Sequence, residues 1–115
     1  FLMIRKEILT QAEHVQNGRG IVKTYHICTK EELGKVGRLY GRVVLDPGCS
    51  IGWHQHLGET EPYYVLKGQG TFIDNDEKAY PVGPGDVCLI ENGQFHSIEN
   101  NSDEPLEFMA LIYNL

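Results

Sequence analysis

The chain has 115 residues and a mass of 13.0 kDa, which is the size of one domain. Its formal net charge is −6 and its longest basic run is Arg5-Lys6, so neither nucleic acid nor an anionic membrane surface is expected as a partner. No apolar stretch approaches the length of a membrane span, and no charged segment followed by an apolar core opens the sequence. The expected location is the cytoplasm.

The N-terminal part of the chain holds the only helical candidates. Met3 is a candidate natural start, so Phe1 and Leu2 are left out of the structural predictions. The segment Ile4–Val15 carries apolar residues at helical spacing, but it is equally readable as a strand followed by a loop. The second helical candidate is Lys30–Lys35.

Short runs rich in β-branched and aromatic residues dominate the rest of the sequence, with turn-forming Gly, Pro, Asp and Asn between most of them. Many short strands with regular turns indicate an all-β sandwich or barrel. We expect one domain, with an N-terminal extension over about residues 1–36 and a barrel over about residues 37–113. The predicted strands are Ile21–Cys28, Leu39–Leu45, Ile51–His56, Pro62–Leu66, Gly70–Asp74, Val87–Glu91, His96–Ile98 and Leu106–Tyr113.

Three histidines and a glutamate have spacings that suit a metal site. Side chains at positions i and i+2 share one face of a strand, so His54 and His56 point the same way if their segment is a strand. Imidazoles so placed can reach one ion at about 2.0–2.2 Å. Glu61 follows five residues later and His96 lies far downstream. Neutral imidazoles and a carboxylate suit a divalent transition metal.

The three cysteines are not expected to belong to this site. Cys28, Cys49 and Cys88 are widely spaced and form no CxxC pair, so they indicate neither a disulfide framework nor a zinc ribbon. We expect them to act as small hydrophobic residues in or near a reduced core.

Ten positions resemble the two conserved motifs of the cupin superfamily, and nine of them match. The first motif is Gly48-x5-His54-x-His56-x4-Glu61-x6-Gly68. The second motif is Gly85-x5-Glu91-x-Gly93-x2-His96-x3-Asn100. The departure is Glu91, where the family usually carries proline. Because Glu91-Asn92-Gly93 can turn without proline, we expect only a local consequence.

The resemblance implies a double-stranded β-helix, a jelly-roll barrel of six to eight strands in two sheets. It also implies one divalent transition metal, Mn, Fe, Co, Ni, Cu or Zn, bound by His54, His56, Glu61 and His96. Glu61 is then expected to open a strand paired with that of His54, and His96 to approach from the facing direction. Glu59, the rival carboxylate, lies in the middle of the predicted turn and is expected to be solvated.

Two further residues are candidates for contact with a substrate. Tyr63 shares strand parity with Glu61 and should point into the barrel, either as core packing or as a substrate contact. Arg42 could point inward and bind a substrate carboxylate with two hydrogen bonds, or outward into solvent. An apolar pocket lined by residues such as Val43 and Val87 would favour a small organic ligand.

The resemblance leaves several functions open, because cupins with this ligand set include dioxygenases, oxalate-metabolising enzymes and sugar-phosphate isomerases. Our leading prediction is a metal-assisted oxidation of a small carboxylate or enol substrate. The alternatives are a non-catalytic binding or sensing module and an isomerase, which would need a basic pocket. Oxalate decarboxylases of the family tend to carry arginine where this chain has Ile51, which weighs against that reaction.

Small cupins usually dimerise, and this sequence gives a physical motive. The predicted strands Ile21–Cys28 and Leu106–Tyr113 carry apolar and aromatic residues on both faces, and an unpaired sheet edge promotes association. We therefore expect a two-fold homodimer in which N-terminal strand residues pair with the partner's sheet.

Overall fold

A computed structural model describes residues 3–115, so the expectation for Phe1 and Leu2 lies outside the described residues. Two antiparallel sheets face each other. One has the strand order β1-β2-β3-β10-β5-β8 and the other has the order β4-β9-β6-β7. The strands are β1 (Ile8–Glu13), β2 (Ile21–Cys28), β3 (Gly37–Leu45), β4 (Ser50–Gln55), β5 (Glu59–Lys67), β6 (Gly70–Ile73), β7 (Ala79–Val82), β8 (Val87–Ile90), β9 (Phe95–Glu99) and β10 (Leu106–Asn114).

The all-β jelly-roll prediction is confirmed, although the sheets contain ten strands instead of six to eight. All eight predicted strands form, most of them with ends shifted by one to three residues. The segment Ile4–Val15 resolves as strand β1 and a following 3₁₀ turn, Val15–Asn17, and a short helix α1 covers Lys30–Leu33. Strand β7 was missed because Pro81 reads as a turn residue, yet proline is tolerated on an edge strand such as this one.

The core lies between the two sheets and follows the two-residue period of their strands. On β10, Leu106, Phe108, Ala110 and Ile112 are buried while the residues between them are more exposed. The four-stranded sheet contributes side chains such as Ile98 from its inner face. Apolar burial of this kind is the main force that closes the two sheets on each other.

The second motif forms its turn without proline. The Gln94 amide donates to the Glu91 carbonyl at 3.1 Å, and Gly93 takes the left-handed backbone (φ 86°) that the turn needs. Asn100 at the motif's end is fully buried, and its side-chain amide donates to the carbonyls of Leu45 and Glu104. The turn that was expected without proline therefore forms.

The outer face of the six-stranded sheet is rich in apolar side chains. A row of directly opposed residues crosses all six strands in the order Leu9, Tyr25, Arg42, Met109, Tyr64 and Val87. Leu9, Tyr64 and Val87 of this row are exposed. None of the helices within residues 3–115 is long and apolar enough to cross a membrane.

The homodimer stays a prediction, and this outer face together with edge strand β1 supports it. Burial of such a face in a partner would remove apolar surface from water and is expected to hold the dimer at micromolar concentration. Light scattering should give about twice the 13.0 kDa chain mass. A mass of one chain at micromolar protein would contradict the prediction.

Candidate metal centre

The four predicted ligands come together from three strands. His54 lies on β4, and His56 follows directly after it with its side chain on the same face. His96 on β9 is the direct cross-strand partner of His54. Glu61 lies on β5, which belongs to the opposite sheet. The sequence-based expectation placed Glu61 on the strand paired with that of His54 and His96 on the facing side. The structure shows the reverse: the strand of His96 pairs with that of His54, and Glu61 faces the histidines from the opposite sheet.

The donor atoms of these residues converge on one point. The Nε2 atoms of His54, His56 and His96 are 3.0 to 3.1 Å apart, so they form a nearly equilateral triangle. Glu61 Oε1 lies 3.1 Å from His56 Nε2 and 3.2 Å from His96 Nε2. This oxygen is buried and has no hydrogen-bond partner within residues 3–115. A buried carboxylate oxygen without a partner raises the free energy of the folded state unless a cation or a proton binds to it.

In two of the histidines, a hydrogen bond from Nδ1 determines that Nε2 is the nitrogen that faces the metal centre. His54 Nδ1 donates to the Gly52 carbonyl at 2.6 Å, and His56 Nδ1 donates to Glu59 Oε1 at 2.7 Å. With the proton held on Nδ1, the lone pair of Nε2 points at the centre, as in a ligating imidazole. The four residues can therefore hold one metal ion.

Charge and burial act against each other at this centre. Burial lowers the pKa of His54. Burial also opposes protonation of His56, but its contacts with the carboxylates of Glu61 and Glu59 outweigh burial and raise the pKa of His56. For Glu61, burial favours the neutral acid, yet contacts with His56 and His96 leave its pKa below the usual value. A proton and a metal ion thus compete for the same atoms.

Glu59 is not solvated, contrary to the sequence-based expectation. Strand β5 begins at Glu59 itself, and this side chain is only 12% exposed. Its Oε1 accepts from His56 Nδ1, and both of its oxygens accept from Arg38, at 2.7 and 2.8 Å. The Arg38 guanidinium, with a contribution from His56, holds the pKa of Glu59 at about 2. Glu59 therefore lies behind His56, on the side away from the converging donors.

Arg38 was missed by the sequence analysis. Arg38 and Arg42 have the same parity on β3, so a regular strand would point both side chains outward. Opposite β10, however, Leu39 pairs with Ile112 and Gly37 pairs with Tyr113, so Arg38 is the extra residue of a bulge. A bulge redirects a side chain locally, and Arg38 lines the cavity beside the metal centre.

Arg42 does not line this cavity. It lies in the outer row of the six-stranded sheet, where its guanidinium contacts Glu107 at 2.9 Å and Glu7 at 2.7 Å and stacks over Tyr25. The outward alternative is therefore the one the structure shows, and the suggested substrate contact loses its geometric basis. Val87, expected in the pocket lining, is likewise on the outer face and exposed.

A cavity of about 180 Å³ opens beside the metal centre and is lined by three of its four residues, His54, His56 and Glu61. Its walls include apolar side chains of both sheets, such as Val43 and Ile51. Tyr63 points into the barrel as expected, is 2% exposed and stacks on the His96 ring. Burial, reinforced by the charge of Glu61, raises the pKa of the Tyr63 hydroxyl well above its ordinary value. Tyr63 is therefore a neutral wall of the cavity.

The 3₁₀ turn Val15–Asn17 closes one side of the cavity with Val15 and Gln16. The turn lies directly against β4 because Gly52 has no side chain. A Cβ at Gly52 would collide with the Gln16 carbonyl oxygen. Gly52 thus allows the N-terminal extension to complete a wall beside His54.

The cysteines lie outside the metal centre, as expected. Cys88 is buried, and burial raises the pKa of its thiol to about 11, which disfavours the thiolate that binds metal. Replacing Cys28, Cys49 and Cys88 together by alanine should leave metal stoichiometry unchanged, with a stability cost of about 1–3 kcal/mol for a buried position. Metal analysis of the purified variant checks this, and a lower metal content would show that a cysteine belongs to the ligand set.

Comparison with known proteins identifies the family. A family model described as a cupin domain matches residues 41–112, so the chain belongs to the cupin family. An oxalate-binding protein of Thermotoga maritima is 41% identical over 113 residues, covering 96% of this chain and 93% of that protein. A crystal structure described as a predicted oxalate decarboxylase from Thermotoga maritima has a TM-score of 0.90 at 40% identity, covering 99% of this chain and 100% of that one.

A more distant relative is a glucose-6-phosphate isomerase of Thermococcus onnurineus, 29% identical over an alignment of 101 residues that covers 76% of this chain and 53% of that protein. The polyketide cyclase RemF of Streptomyces resistomycificus shares the fold with a TM-score of 0.77 at 16% identity, covering 98% of this chain and 79% of that one. These relatives have different described activities, so the fold alone does not select one.

Proposed function

We propose that the protein binds a small dicarboxylate of the oxalate type through one divalent metal ion held by His54, His56, Glu61 and His96. The observation that carries the proposal is the arrangement of the four donor atoms around one point, beside a small, largely apolar cavity. The oxalate-binding description of the Thermotoga relative supports the ligand class.

The donor distances support a six-coordinate ion. Bonds of about 2.1 Å that meet at right angles hold their donors about 3.0 Å apart, whereas a tetrahedral ion would hold them about 3.4 Å apart. The Nε2 triangle has edges of 3.0 to 3.1 Å. An ion held by these four residues in six-coordination would have two positions left, enough for a ligand that chelates through two oxygens.

The cavity favours a compact ligand with an anionic end. Its volume of about 180 Å³ lies below the roughly 300–1,000 Å³ of pockets that hold drug-sized ligands. Arg38 is the one lysine or arginine among the residues that line it within the described part of the chain. A sugar phosphate would need more space and more cations, so the isomerase alternative has less support. Ile51 lines the wall where decarboxylases of the family tend to carry arginine.

Calorimetric titration of metal-loaded protein with oxalate tests this proposal. Protein loaded in turn with Mn²⁺, Fe²⁺, Co²⁺, Ni²⁺, Cu²⁺ or Zn²⁺ should bind about one oxalate per metal, and metal-free protein should bind none. His96→Ala is the control because it removes a ligand without changing the surface charge. Oxalate binding that persists equally without metal, or that is absent with every metal, would contradict the proposal.

Metal-assisted oxidation of a bound carboxylate or enol is the second candidate. The ligand set supports it, since a redox-active ion held by these four residues would have room for a substrate and would supply the electrons for oxidation chemistry. Oxygen uptake by iron- or manganese-loaded protein in the presence of oxalate, compared with the same mixture under nitrogen, distinguishes turnover from binding. Unchanged oxalate and no oxygen uptake would mean that the protein binds oxalate without turning it over.

A cytoplasmic location stays a prediction.

A further inference from the structure

Arg38 is the cavity residue whose role the metal centre does not explain. Its side chain is 49% exposed, although the guanidinium is held in place by Glu59. Arg38 Nε donates to Glu59 Oε2 at 2.8 Å, and Nη2 donates to Glu59 Oε1 at 2.7 Å. These two bonds use one edge of the guanidinium and fix its plane.

The other edge of this guanidinium has no protein partner within residues 3–115. A guanidinium carries five N–H donors, so three remain, including a parallel pair on Nη1 and Nη2. Such a pair matches the two oxygens of a carboxylate. Because Glu59 already immobilises the side chain, a ligand would bind this edge with a small loss of conformational entropy.

Arg38 lines the same cavity as the metal-centre residues His54, His56 and Glu61. Glu59 Oε1 links Arg38 Nη2 to His56 Nδ1 through two successive contacts of 2.7 Å. The opposite nitrogen of the same His56 ring is one of the converging metal donors. The charge of Glu61 adds to the effect of Glu59 in raising the pKa of Arg38. A small ligand in this shared cavity could therefore touch the metal and the guanidinium together.

We infer that Arg38 binds the outward-facing oxygens of a small dianion whose inner oxygens chelate the metal, and that it makes the cavity selective for dianions over monoanions. This inference rests on the proposed function. Oxalate has this shape, since chelation through one oxygen of each carboxylate leaves two oxygens on the far side. Oxamate, in which an amide replaces one carboxylate, has nearly the same shape and one negative charge fewer.

Titration with oxalate and with oxamate tests the inference at saturating metal, with metal content measured in each sample. The metal-loaded protein should bind oxalate more tightly than oxamate. Arg38→Gln should weaken oxalate binding by about 10–100-fold, as expected for charge-assisted hydrogen bonds, and should weaken oxamate binding much less. Arg38→Lys keeps the charge but not the paired donors, so its loss should be intermediate. Melting curves confirm that each variant is folded.

Two controls separate recognition by Arg38 from support of the metal. Arg42→Gln removes the same charge from the same strand on the outer face, and its oxalate-to-oxamate ratio should equal that of the unmodified protein. Glu59→Gln keeps Arg38 but disturbs the contact with His56 and weakens the hold on the guanidinium, so it should weaken metal binding and lower the selectivity between the anions less than Arg38→Gln does.

The outcomes distinguish failure of the inference from failure of the proposed function. An oxalate-to-oxamate ratio that Arg38→Gln leaves unchanged, while oxalate still binds, overturns the inference alone. If the unmodified metal-loaded protein binds neither anion, the proposed function is wrong and the inference fails with it.

Discussion

Replacing His96 by alanine should yield protein that purifies largely free of metal. The substitution removes an inner ligand, and the vacancy can be filled only by water. Because changes outside the ligand shell already cost about 10–100-fold in metal affinity, loss of an imidazole should cost more than about 100-fold. His54→Ala and His56→Ala should behave in the same way. Metal analysis and chelator competition on the purified variants measure the effect.

Glu61→Gln should do less harm than the histidine variants. An amide oxygen can still coordinate, but the site loses one negative charge and the affinity should fall. All four variants should still fold, since the core between the sheets does not include the ion. Excess metal at about 100 times its dissociation constant should stabilise the unmodified protein by about 2.7 kcal/mol and the variants much less. Full metal retention by any histidine variant would show that the ligand set is wrong.

The strands and the cluster of four candidate ligands could be predicted because the strand patterns and the two motifs each lie in short stretches of sequence. Alternation of apolar and polar residues marks a strand within its own sequence, and β2 was predicted with its ends correct. The i, i+2 spacing of His54 and His56 likewise needs only the strand itself. Whether Glu61 or His96 lies on the strand paired with that of His54 depends on the sheet order. In the structure β4 pairs with β9, and β5 belongs to the other sheet.

The residues that were misplaced depend on partners far along the chain. Glu59 looked like a turn residue, and its burial is compensated by Arg38, twenty-one positions earlier. Arg38 and Arg42 have the same parity, so the pattern on β3 cannot tell them apart. The bulge opposite β10 turns only Arg38 into the cavity, and it arises from the register between two strands more than sixty residues apart. Nothing in either segment alone indicates that register.

Glu59→Leu should lower metal affinity by about 10–100-fold although Glu59 touches no metal position. The leucine would leave His56 Nδ1 without its 2.7 Å acceptor, so the ring would lose the contact that fixes its orientation and tautomer. It would also leave the Arg38 guanidinium unpaired at the edge of the cavity. Glu59→Gln should have a smaller effect, because its amide oxygen can still accept from His56. Chelator competition gives both affinities.

A matched control separates this effect from a general loss of stability. Glu107→Leu removes a carboxylate that is also paired with an arginine, Arg42, but on the outer face of the six-stranded sheet. Its metal affinity should equal that of the unmodified protein, even if both leucine variants melt at lower temperature. Equal affinities for Glu59→Leu and Glu107→Leu would show that the Glu59 contact does not position His56. A loss as large as that of His96→Ala would instead place Glu59 among the ligands, with the first motif displaced by two residues.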